Sequence, residues 1–409
     1  MFEWVIILFL GSGLLYGLQS RRLQRRNISS PMMMVLTGLL IALPLGIWHA
    51  APMNAVEGSI HFATGFAEMT LAIILFLDAA VLNYRKEKAA RNVATRLLLI
   101  GLPLTIGVTW AFIVGLDPTI GVIPALILAL IVSPTDAALG RPVLENKGVP
   151  DPVRQGINIE SGLNDGLVLP IFTTAVLLEA NIQDHGQNAW IAEALLEISI
   201  GVGIGVVGGF VIGQIVNHAV SNDTIVDRFE RLLGVLAALF IFLLAEELGG
   251  NGFVAAFAGG LALNISSDRV RDTIESFGEA ESELLTMLTF FVFGLIVVPA
   301  VYDSWTWSMA VFCLASLIIL RPLCVWICMI GSPYSLGEKL YIGWFGPRGI
   351  ASVIYMLIMA TMIDPGDFKP IFAAGTMIVC MSIVAHGISA APASHALVRY
   401  LARRKSKAG

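Results

Sequence analysis

Charged residues are scarce in this chain of 409 residues: only 13% are charged, whereas 56% are hydrophobic. A soluble domain carries about 25% charged residues, because its surface faces water. So little charge excludes a soluble globular protein, since no single core of this size could bury the apolar surface that remains. The net charge of −5 gives no indication of a nucleic-acid partner. The composition therefore predicts a protein that resides in a lipid bilayer.

Cysteine is also scarce, with four residues in the whole chain. Cys324 and Cys328 are four residues apart, but no histidine or further cysteine completes a metal site with them. The sequence also lacks a nucleotide-binding loop. We interpret all four cysteines as apolar packing residues and predict that the protein needs no cofactor.

The hydrophobic residues are grouped into segments long enough to cross a bilayer, which takes about 20 predominantly apolar residues. We count thirteen such segments, joined by short charged connections. The first has Glu3 near its start and lacks the basic start of a signal peptide, so we predict a spanning helix there. The predicted spans are 2–20, 31–49, 62–84, 94–116, 118–140, 154–180, 188–217, 231–249, 251–266, 283–302, 305–330, 338–363 and 370–396.

The basic residues assign an orientation to these spans. With thirteen spans, every Lys and Arg except Lys369, Arg321 and Arg348 falls on one side of the membrane. Cytoplasmic loops carry an excess of Lys and Arg. We therefore predict a multi-pass protein of the cell membrane with its N-terminus outside and its C-terminus in the cytoplasm.

An odd number of spans fits two six-helix halves joined by a linker helix, which inverts the second half. Four glycines of this linker share one face at every fourth position, from Gly201 to Gly213, and such spacing lets helices approach closely. The sequence leaves open whether that face forms a dimer interface or packs within one subunit. The predicted parts are repeats at about 1–180 and 231–396, the linker helix at 188–217 and a cytoplasmic tail at 397–409.

Charged residues inside a span cost at least about 2.5–3.5 kcal/mol each, so those that are retained indicate function. Span 5 contains Pro134 two residues before Asp136, and span 12 contains Pro347 directly before Arg348. Proline removes a backbone donor and disfavours helix at the preceding residue, so we predict an interrupted helix at each place. Interruptions at matching positions of two repeats indicate an ion site near the middle of the membrane.

Span 6 reads Asn-Ile-Glu-Ser-Gly-Leu-Asn-Asp-Gly at positions 158–166. Glu160 and Asn164 are four residues apart, as are Ser161 and Asp165, so each pair shares a helical face. The hydroxyl and carboxylate of the second pair are oxygen ligands suited to a hard cation. Because burial makes a charged carboxylate costly, Asp165 can exchange a proton for a cation there.

These motifs resemble those of the NhaP-like proteins, the sodium/proton exchanger branch of the cation–proton antiporters. The resemblance covers nearly the whole chain and implies an all-α membrane fold of two inverted repeats, with a core domain and a scaffold or dimerisation domain. It also implies a homodimer. Many relatives have leucine where this chain has Pro347. The matching residues are Thr135-Asp136 in span 5, Glu160 to Gly166 in span 6, Arg321 in span 11 and Gly346-Pro347-Arg348-Gly349 in span 12.

The resemblance assigns roles to the residues of the ion site. Asp165 would bind Na⁺ and a proton alternately, while Asp136, Ser161 and the backbone of Thr135 complete or shape the site. Asn164, where electrogenic relatives have a second aspartate, implies electroneutral one-for-one exchange.

Three further assignments are less specific. Glu160 would pair with Arg321 rather than bind the ion, although the sequence leaves a pairing with Arg348 open. Asp78, near the cytoplasmic end of span 3, is a further candidate ligand. His386 in span 13 is either a packing residue or one that tunes the response to pH.

The sequence thus predicts a secondary antiporter, not an enzyme, that exchanges Na⁺ or Li⁺ for protons and is surrounded by membrane lipid. K⁺/H⁺ exchange is the alternative within this class, because oxygen ligands alone do not fix ion size. A cation channel and a transport-silent membrane sensor are the alternatives from other classes. The paired interruptions favour alternating access over an open pore, and the intact acid motif argues against a sensor.

Overall fold

A computed structural model describes residues 2–44, 57–81, 88–144, 146–184, 190–266, 268–363 and 368–408 of the chain. These residues form helices and connections, with no strand among them. Seven helices are long and apolar enough to cross a membrane, and four shorter apolar helices accompany them. Large hydrophobic side chains such as Leu18 and Trp307 are exposed, as expected of a surface that faces lipid. The predicted all-α membrane class is confirmed, while the number of thirteen spans stays a prediction.

The helices follow one another along the described parts of the chain. Three are continued or preceded by a wide π-helical turn, at Leu97–Gly101, Phe293–Val297 and Ser316–Leu320. In chain order the helices are α1 (Phe2–Arg25), α2 (Ser30–Ala42), α3 (Glu57–Val81), α4 (Lys88–Arg96), α5 (Leu102–Leu116), α6 (Val122–Ile131), α7 (Ala137–Leu144), α8 (Asp151–Asp184), α9 (Trp190–Ser221), α10 (Asp227–Glu247), α11 (Gly252–Ser266), α12 (Asp268–Val292), α13 (Val298–Val301), α14 (Trp307–Ala315), α15 (Arg321–Cys328), α16 (Leu336–Trp344), α17 (Ile350–Met362) and α18 (Lys369–Ala408).

Each π-helical turn has the same local cause. A proline lies two residues after the end of each turn, at Pro103, Pro299 and Pro322. Proline lacks the N–H that would continue the helix, and its ring clashes with the carbonyl four residues earlier. That carbonyl lies inside the wide turn in all three cases, where the looser winding relieves the clash. The third turn places Arg321 directly at the start of α15.

Two helices are interrupted where the sequence predicted it. Residues 132–136 separate α6 from α7, and residues 345–349 separate α16 from α17. Pro134 lies in the first segment and Pro347 in the second. The interruption of spans 5 and 12 is therefore confirmed.

The backbone divides into two compact units. The first has a hydrophobic core to which α4, α8, α15, α16 and α18 contribute Val93, Val153, Val325, Tyr341 and Leu397. The boundary falls inside α8, between Ser161 and Gly162. Unit 1 comprises the described parts of Met1–His61, Arg85–Ser161 and Thr286–Gly409, and unit 2 those of Phe62–Tyr84 and Gly162–Leu285.

Within unit 2, the glycine face of α9 packs directly against α11. A Cβ atom at Gly205 would overlap the carbonyl of Ala255, and one at Gly209 would overlap the carbonyl of Gly259. Small residues permit this backbone contact because no side chain separates the helices. The sequence left open whether the glycine face forms a dimer interface or packs within one subunit. In the structure it packs within the chain, against α11.

Gly209→Ala is expected to destabilise the fold by about 1–3 kcal/mol, because its methyl group has no space at the α9–α11 contact. Gly203→Ala is the matched control on the same helix, since a Cβ atom there meets nothing within 4 Å. Alanine should leave stability unchanged or raise it slightly at Gly203, because alanine is the better helix former. Thermal unfolding in detergent measures both variants. Equal melting temperatures would contradict the close packing.

Candidate functional site

The two interrupted helices of unit 1 are joined to each other at their interruptions. The backbone N–H of Asp136 donates to the carbonyl of Pro347 over 2.8 Å. The hydroxyl of Ser352, in the first turn of α17, donates to the carbonyl of Ile131 at the end of α6 over 2.7 Å. Backbone groups that lost their helical partners therefore find new ones across the crossing, as buried polar groups must.

The carboxylate of Asp136 lies at the N-terminus of α17. Its Oδ2 accepts a hydrogen bond of 2.8 Å from the backbone N–H of Ile350. An anion at a helix N-terminus is favourable, because unpaired N–H groups and the positive end of the helix dipole lie there. Gly349 makes room for it, since a Cβ atom at that position would overlap the Asp136 carboxylate.

The guanidinium of Arg348 lies at a helix C-terminus, that of α6. Its Nη1 donates to the carbonyls of Ser133, over 2.9 Å, and of Pro134, over 3.2 Å, just beyond the C-terminus of α6. A cation is favourable at a C-terminus, where unpaired carbonyls and the negative end of the dipole lie. Arg348 is fully buried. Each interrupted segment thus supplies a charge to a helix end of the other.

Arg321 forms an ion pair with Glu160. Its Nη2 donates to Oε2 over 3.1 Å and to Oε1 over 3.2 Å, and Nη1 donates to Oε1 over 3.2 Å. Both side chains are buried, with 4% and 1% of their surface exposed. Gly346 lies against this pair, since a Cβ atom there would overlap the Arg321 guanidinium. Of the two pairings that the sequence left open for Glu160, the structure has the one with Arg321.

Two hydroxyl groups meet in the same unit. Thr135 Oγ1, in the first interrupted segment, lies 3.0 Å from Ser161 Oγ on α8. Both residues are buried. The structure thus brings together two residues that the sequence assigned to the ion site, although for Thr135 the expectation concerned the backbone and the contact is made by the side chain.

The remaining candidates belong to unit 2. Asn164 is fully buried on α8, and Asp165, the next residue, is partly buried. A Cβ atom at Gly166 would overlap the ring of Phe257 on α11, so α8 and α11 are in close contact immediately after Asp165. Asp78 is partly buried near the end of α3.

Three serines of the site were not singled out from the sequence. Ser133 donates to the carbonyl of Ala129 over 2.6 Å, and Ser352 bonds across the crossing as described above. Ser382 on α18 accepts a hydrogen bond of 2.6 Å from the backbone N–H of Arg348. Serines are common in membrane helices, where they bond to their own backbone, and only tertiary structure distinguishes these three.

Gly349→Ala is expected to destabilise the protein by about 1–3 kcal/mol, because the methyl group displaces Asp136 from the N-terminus of α17. Gly140→Ala is the control, since a Cβ atom at Gly140 on α7 meets nothing within 4 Å. Melting temperatures in detergent measure the difference. A Gly349→Ala variant that melts with the control would mean that Asp136 does not depend on this space.

Comparison with known proteins gives consistent matches over most of the chain. A family model described as "Sodium/hydrogen exchanger, transmembrane" matches residues 5–395. The K(+)/H(+) antiporter NhaP2 of Shewanella sp. (strain ANA-3) is 24% identical over 361 residues, which are 86% of this chain and 61% of the relative. The Na(+)/H(+) antiporter NhaG of Bacillus atrophaeus is 23% identical over 378 residues, which are 88% of this chain and 69% of the relative.

A solved structure has the same fold. The sodium proton antiporter MjNhaP1 from Methanocaldococcus jannaschii is similar with a TM-score of 0.73 and 19% sequence identity, over 97% of this chain and 98% of that chain. The chain spans only about three fifths (61%) of the length of the NhaP2 relative.

Proposed function

Since the chain belongs to the transmembrane sodium/hydrogen exchanger family, we propose that it is a secondary antiporter that exchanges Na⁺ or Li⁺ for protons. The observation that carries this proposal is the pair of interrupted helices joined at their interruptions by the bond between Asp136 and Pro347. Such helix ends form ion sites in secondary transporters, because half-helix termini and freed carbonyls can face an ion. The family consists of secondary transporters, and the proposed exchange needs no cofactor.

Within this proposal, Asp165 is the carboxylate that binds cation and proton in turn. Two further carboxylates of the proposed site bond groups of the protein: Glu160 bonds Arg321, and Asp136 bonds the N-terminus of α17. Because α8 is continuous from Asp151 to Asp184, Asp165 follows Ser161 by one helical turn.

Oxygen ligands would accompany Asp165 in binding the transported cation. The hydroxyls of Thr135 and Ser161, 3.0 Å apart, suit a hard cation. Asp136 shapes this region through its hydrogen bond to the N-terminus of α17. Asn164 is the uncharged residue next to Asp165. Asp78 on α3 is the further candidate ligand, reached by the ion through water.

A single exchanging carboxylate would give a one-for-one exchange. Glu160 and Asp136 contribute two negative charges, and Arg321 and Arg348 contribute two positive charges, so these four cancel. Asp165 then carries either one Na⁺ or one proton, and the net charge moved per cycle is zero. Antiport follows from competition. The site of Asp165 would become accessible from the other side of the membrane only when the carboxylate carries one ion or the other, and never when it is empty.

We further propose that the protein is a homodimer in the cell membrane, as the family resemblance implies, and that its N-terminus lies outside and its C-terminus in the cytoplasm, as the basic residues predict. The inverted repeats would be 1–180 and 231–396, with the linker at 188–217. The tail proposed at 397–409 continues α18, which is helical to Ala408.

K⁺ is the second candidate cation. The NhaP2 relative is a K(+)/H(+) antiporter at 24% identity, and the NhaG relative is a Na(+)/H(+) antiporter at 23%. These identities are too similar to decide between the ions. Replacing Na⁺ by K⁺ or Li⁺ in proteoliposomes that contain a pH-sensitive dye measures the preference directly.

Exchange in proteoliposomes is expected to be insensitive to membrane potential, because one positive charge leaves for each that enters. A potential imposed across the membrane, without any protonophore in the buffer, should leave the initial rate of Na⁺-driven proton movement unchanged. A clear dependence of the rate on potential would contradict one-for-one exchange. A cation current without coupled proton movement would indicate a channel instead.

A further inference from the structure

The helix α18 carries polar side chains on the face that contacts α16. Ser389 accepts a hydrogen bond of 2.8 Å from the indole N–H of Trp344, the last residue of α16. Ser382 and His386 are one helical turn apart, so they point the same way. The ring of His386 also packs on the ring of Trp344, with centroids 5.0 Å apart.

His386 and Ser382 together contact the backbone just before and within the interrupted segment at 345–349. His386 Nε2 lies 2.9 Å from the carbonyl oxygen of Trp344, before the interruption. Ser382 Oγ accepts from the backbone N–H of Arg348 over 2.6 Å, inside the interruption. Ser382 Oγ is also 3.1 Å from His386 Nδ1, so the two side chains form one chain of hydrogen bonds.

The groups that lie next to the two ring nitrogens indicate which nitrogen of His386 carries the proton. A carbonyl oxygen only accepts, so a bond to Trp344 requires a proton on Nε2. Nδ1 faces the carbonyl of Ser382, over 2.9 Å, and the hydroxyl of the same residue. That hydroxyl already accepts from Arg348, so its own proton is available for Nδ1. Of the two neutral forms, the one with the proton on Nε2 makes two bonds, to the Trp344 carbonyl and from the Ser382 hydroxyl. The one with the proton on Nδ1 bonds only Ser382 and leaves Nε2 facing the Trp344 carbonyl without a proton.

We propose that His386 is a positioning residue for the exchange: in its neutral Nε2–H form, it fixes the segment at 345–349 and so holds Arg348 at the C-terminus of α6. Arg348 donates there to the carbonyls of Ser133 and Pro134, next to Thr135. Displacing Arg348 would loosen the backbone beside a ligand of the cation. This inference rests on the proposed function for its transport consequence, but not for the form of the histidine.

Two amide substitutions separate the nitrogens of His386. The amide nitrogen of glutamine reaches the position of Nε2, whereas that of asparagine reaches only the position of Nδ1. His386→Asn is expected to raise the apparent KM for Na⁺ about tenfold, which corresponds to the loss of one hydrogen bond of about 1.4 kcal/mol. His386→Gln should stay within about threefold of the unsubstituted protein, because the bond to Trp344 is restored.

The change in KM distinguishes positioning from a purely structural role. A partly unfolded variant loses active protein and therefore maximal rate, but the KM of the remaining molecules is unchanged. Ser382→Ala, which removes the link between Arg348 and His386, is expected to raise KM in the same direction as His386→Asn. Equal KM values for His386→Gln and His386→Asn would overturn the proposal, as would an unchanged KM in Ser382→Ala.

The protonation of His386 can be measured without transport. In nitrogen-15 spectra of protein labelled at its six histidines, the signals that disappear in His386→Gln belong to His386. We expect the shifts of a neutral ring protonated on Nε2 at pH 7. A doubly protonated ring, or a proton on Nδ1 alone, would overturn the assignment. An absence of exchange in the unsubstituted protein would refute the proposed function, whereas this spectrum would still decide the form of His386.

Discussion

Glu160→Ala is expected to lower the free energy of unfolding by about 3–5 kcal/mol, because it leaves Arg321 as a buried cation without its carboxylate. Both side chains are almost fully buried, and the shortest contact of the pair is 3.1 Å. Thermal unfolding in detergent, in the absence of transported cations, measures this loss apart from any effect on ion binding.

An exposed ion pair of the same length provides the matched control. Lys369 Nζ lies 3.2 Å from Asp303 Oδ2, with side chains that are 41% and 60% exposed. Such pairs contribute only about 0.2–1 kcal/mol, since water solvates each charge when the other is removed. Asp303→Ala should therefore melt close to the unsubstituted protein. A loss as large as that of Glu160→Ala would mean that burial is not the cause.

The double substitution of Glu160 and Arg321 by alanine tests whether the two residues act as a pair. Removing both charges leaves no buried ion without a partner, so the double variant should recover part of the stability that Glu160→Ala loses. A double variant as unstable as the sum of the two single variants would show that the pairing is not what stabilises them.

The interrupted helices could be predicted because their causes are local. Pro134 and Pro347 each remove a backbone donor within an apolar run, and Asp136 and Arg348 lie where charge is costly. These properties depend on neighbours in the sequence alone. The same holds for the π-helical turns, whose prolines are visible in the sequence although their effect on the winding was not predicted.

Charge and burial alone could not identify the partner of Glu160, because pairing depends on distances between helices far apart in the sequence. The family resemblance implied Arg321, and the structure has that pairing. Arg348 and Arg321 are equally plausible partners of Glu160 by charge and burial. The structure separates them through the position of α6, whose C-terminal carbonyls bond Arg348. The role of Ser382 was not predictable for the same reason, since its bond partner lies 34 residues away.

Asp165→Asn is expected to abolish exchange while the protein still folds, because asparagine keeps the shape of the side chain but can neither ionise nor release a proton. Asp117→Asn is the control. Asp117 is exposed between α5 and α6, and the hydroxyl and backbone N–H of Thr119 hold its pKa below the usual value. A carboxylate that stays ionised outside the membrane should be dispensable for exchange in proteoliposomes.

Cation binding gives a second measurement on the same variant. A ligand that binds only the folded protein stabilises it, by about 2.7 kcal/mol at a concentration of 100 times its Kd. Na⁺ should therefore raise the melting temperature of the unsubstituted protein and of Asp117→Asn, but not of Asp165→Asn. Ion stabilisation that persists in Asp165→Asn at unchanged affinity would contradict the mechanism and assign the primary site to Asp136 and Ser161.

The pH dependence of transport tests the competition itself. If a proton and Na⁺ occupy the same carboxylate of Asp165, lowering the pH fills more of the sites with protons and raises the apparent KM for Na⁺. The maximal rate at saturating Na⁺ should then change less than KM, because excess Na⁺ displaces the proton. Initial rates over a series of Na⁺ concentrations at several pH values measure both quantities. A KM that does not change with pH, while the maximal rate falls, would mean that the proton acts at a different group from the cation, and competition at Asp165 would have to be abandoned.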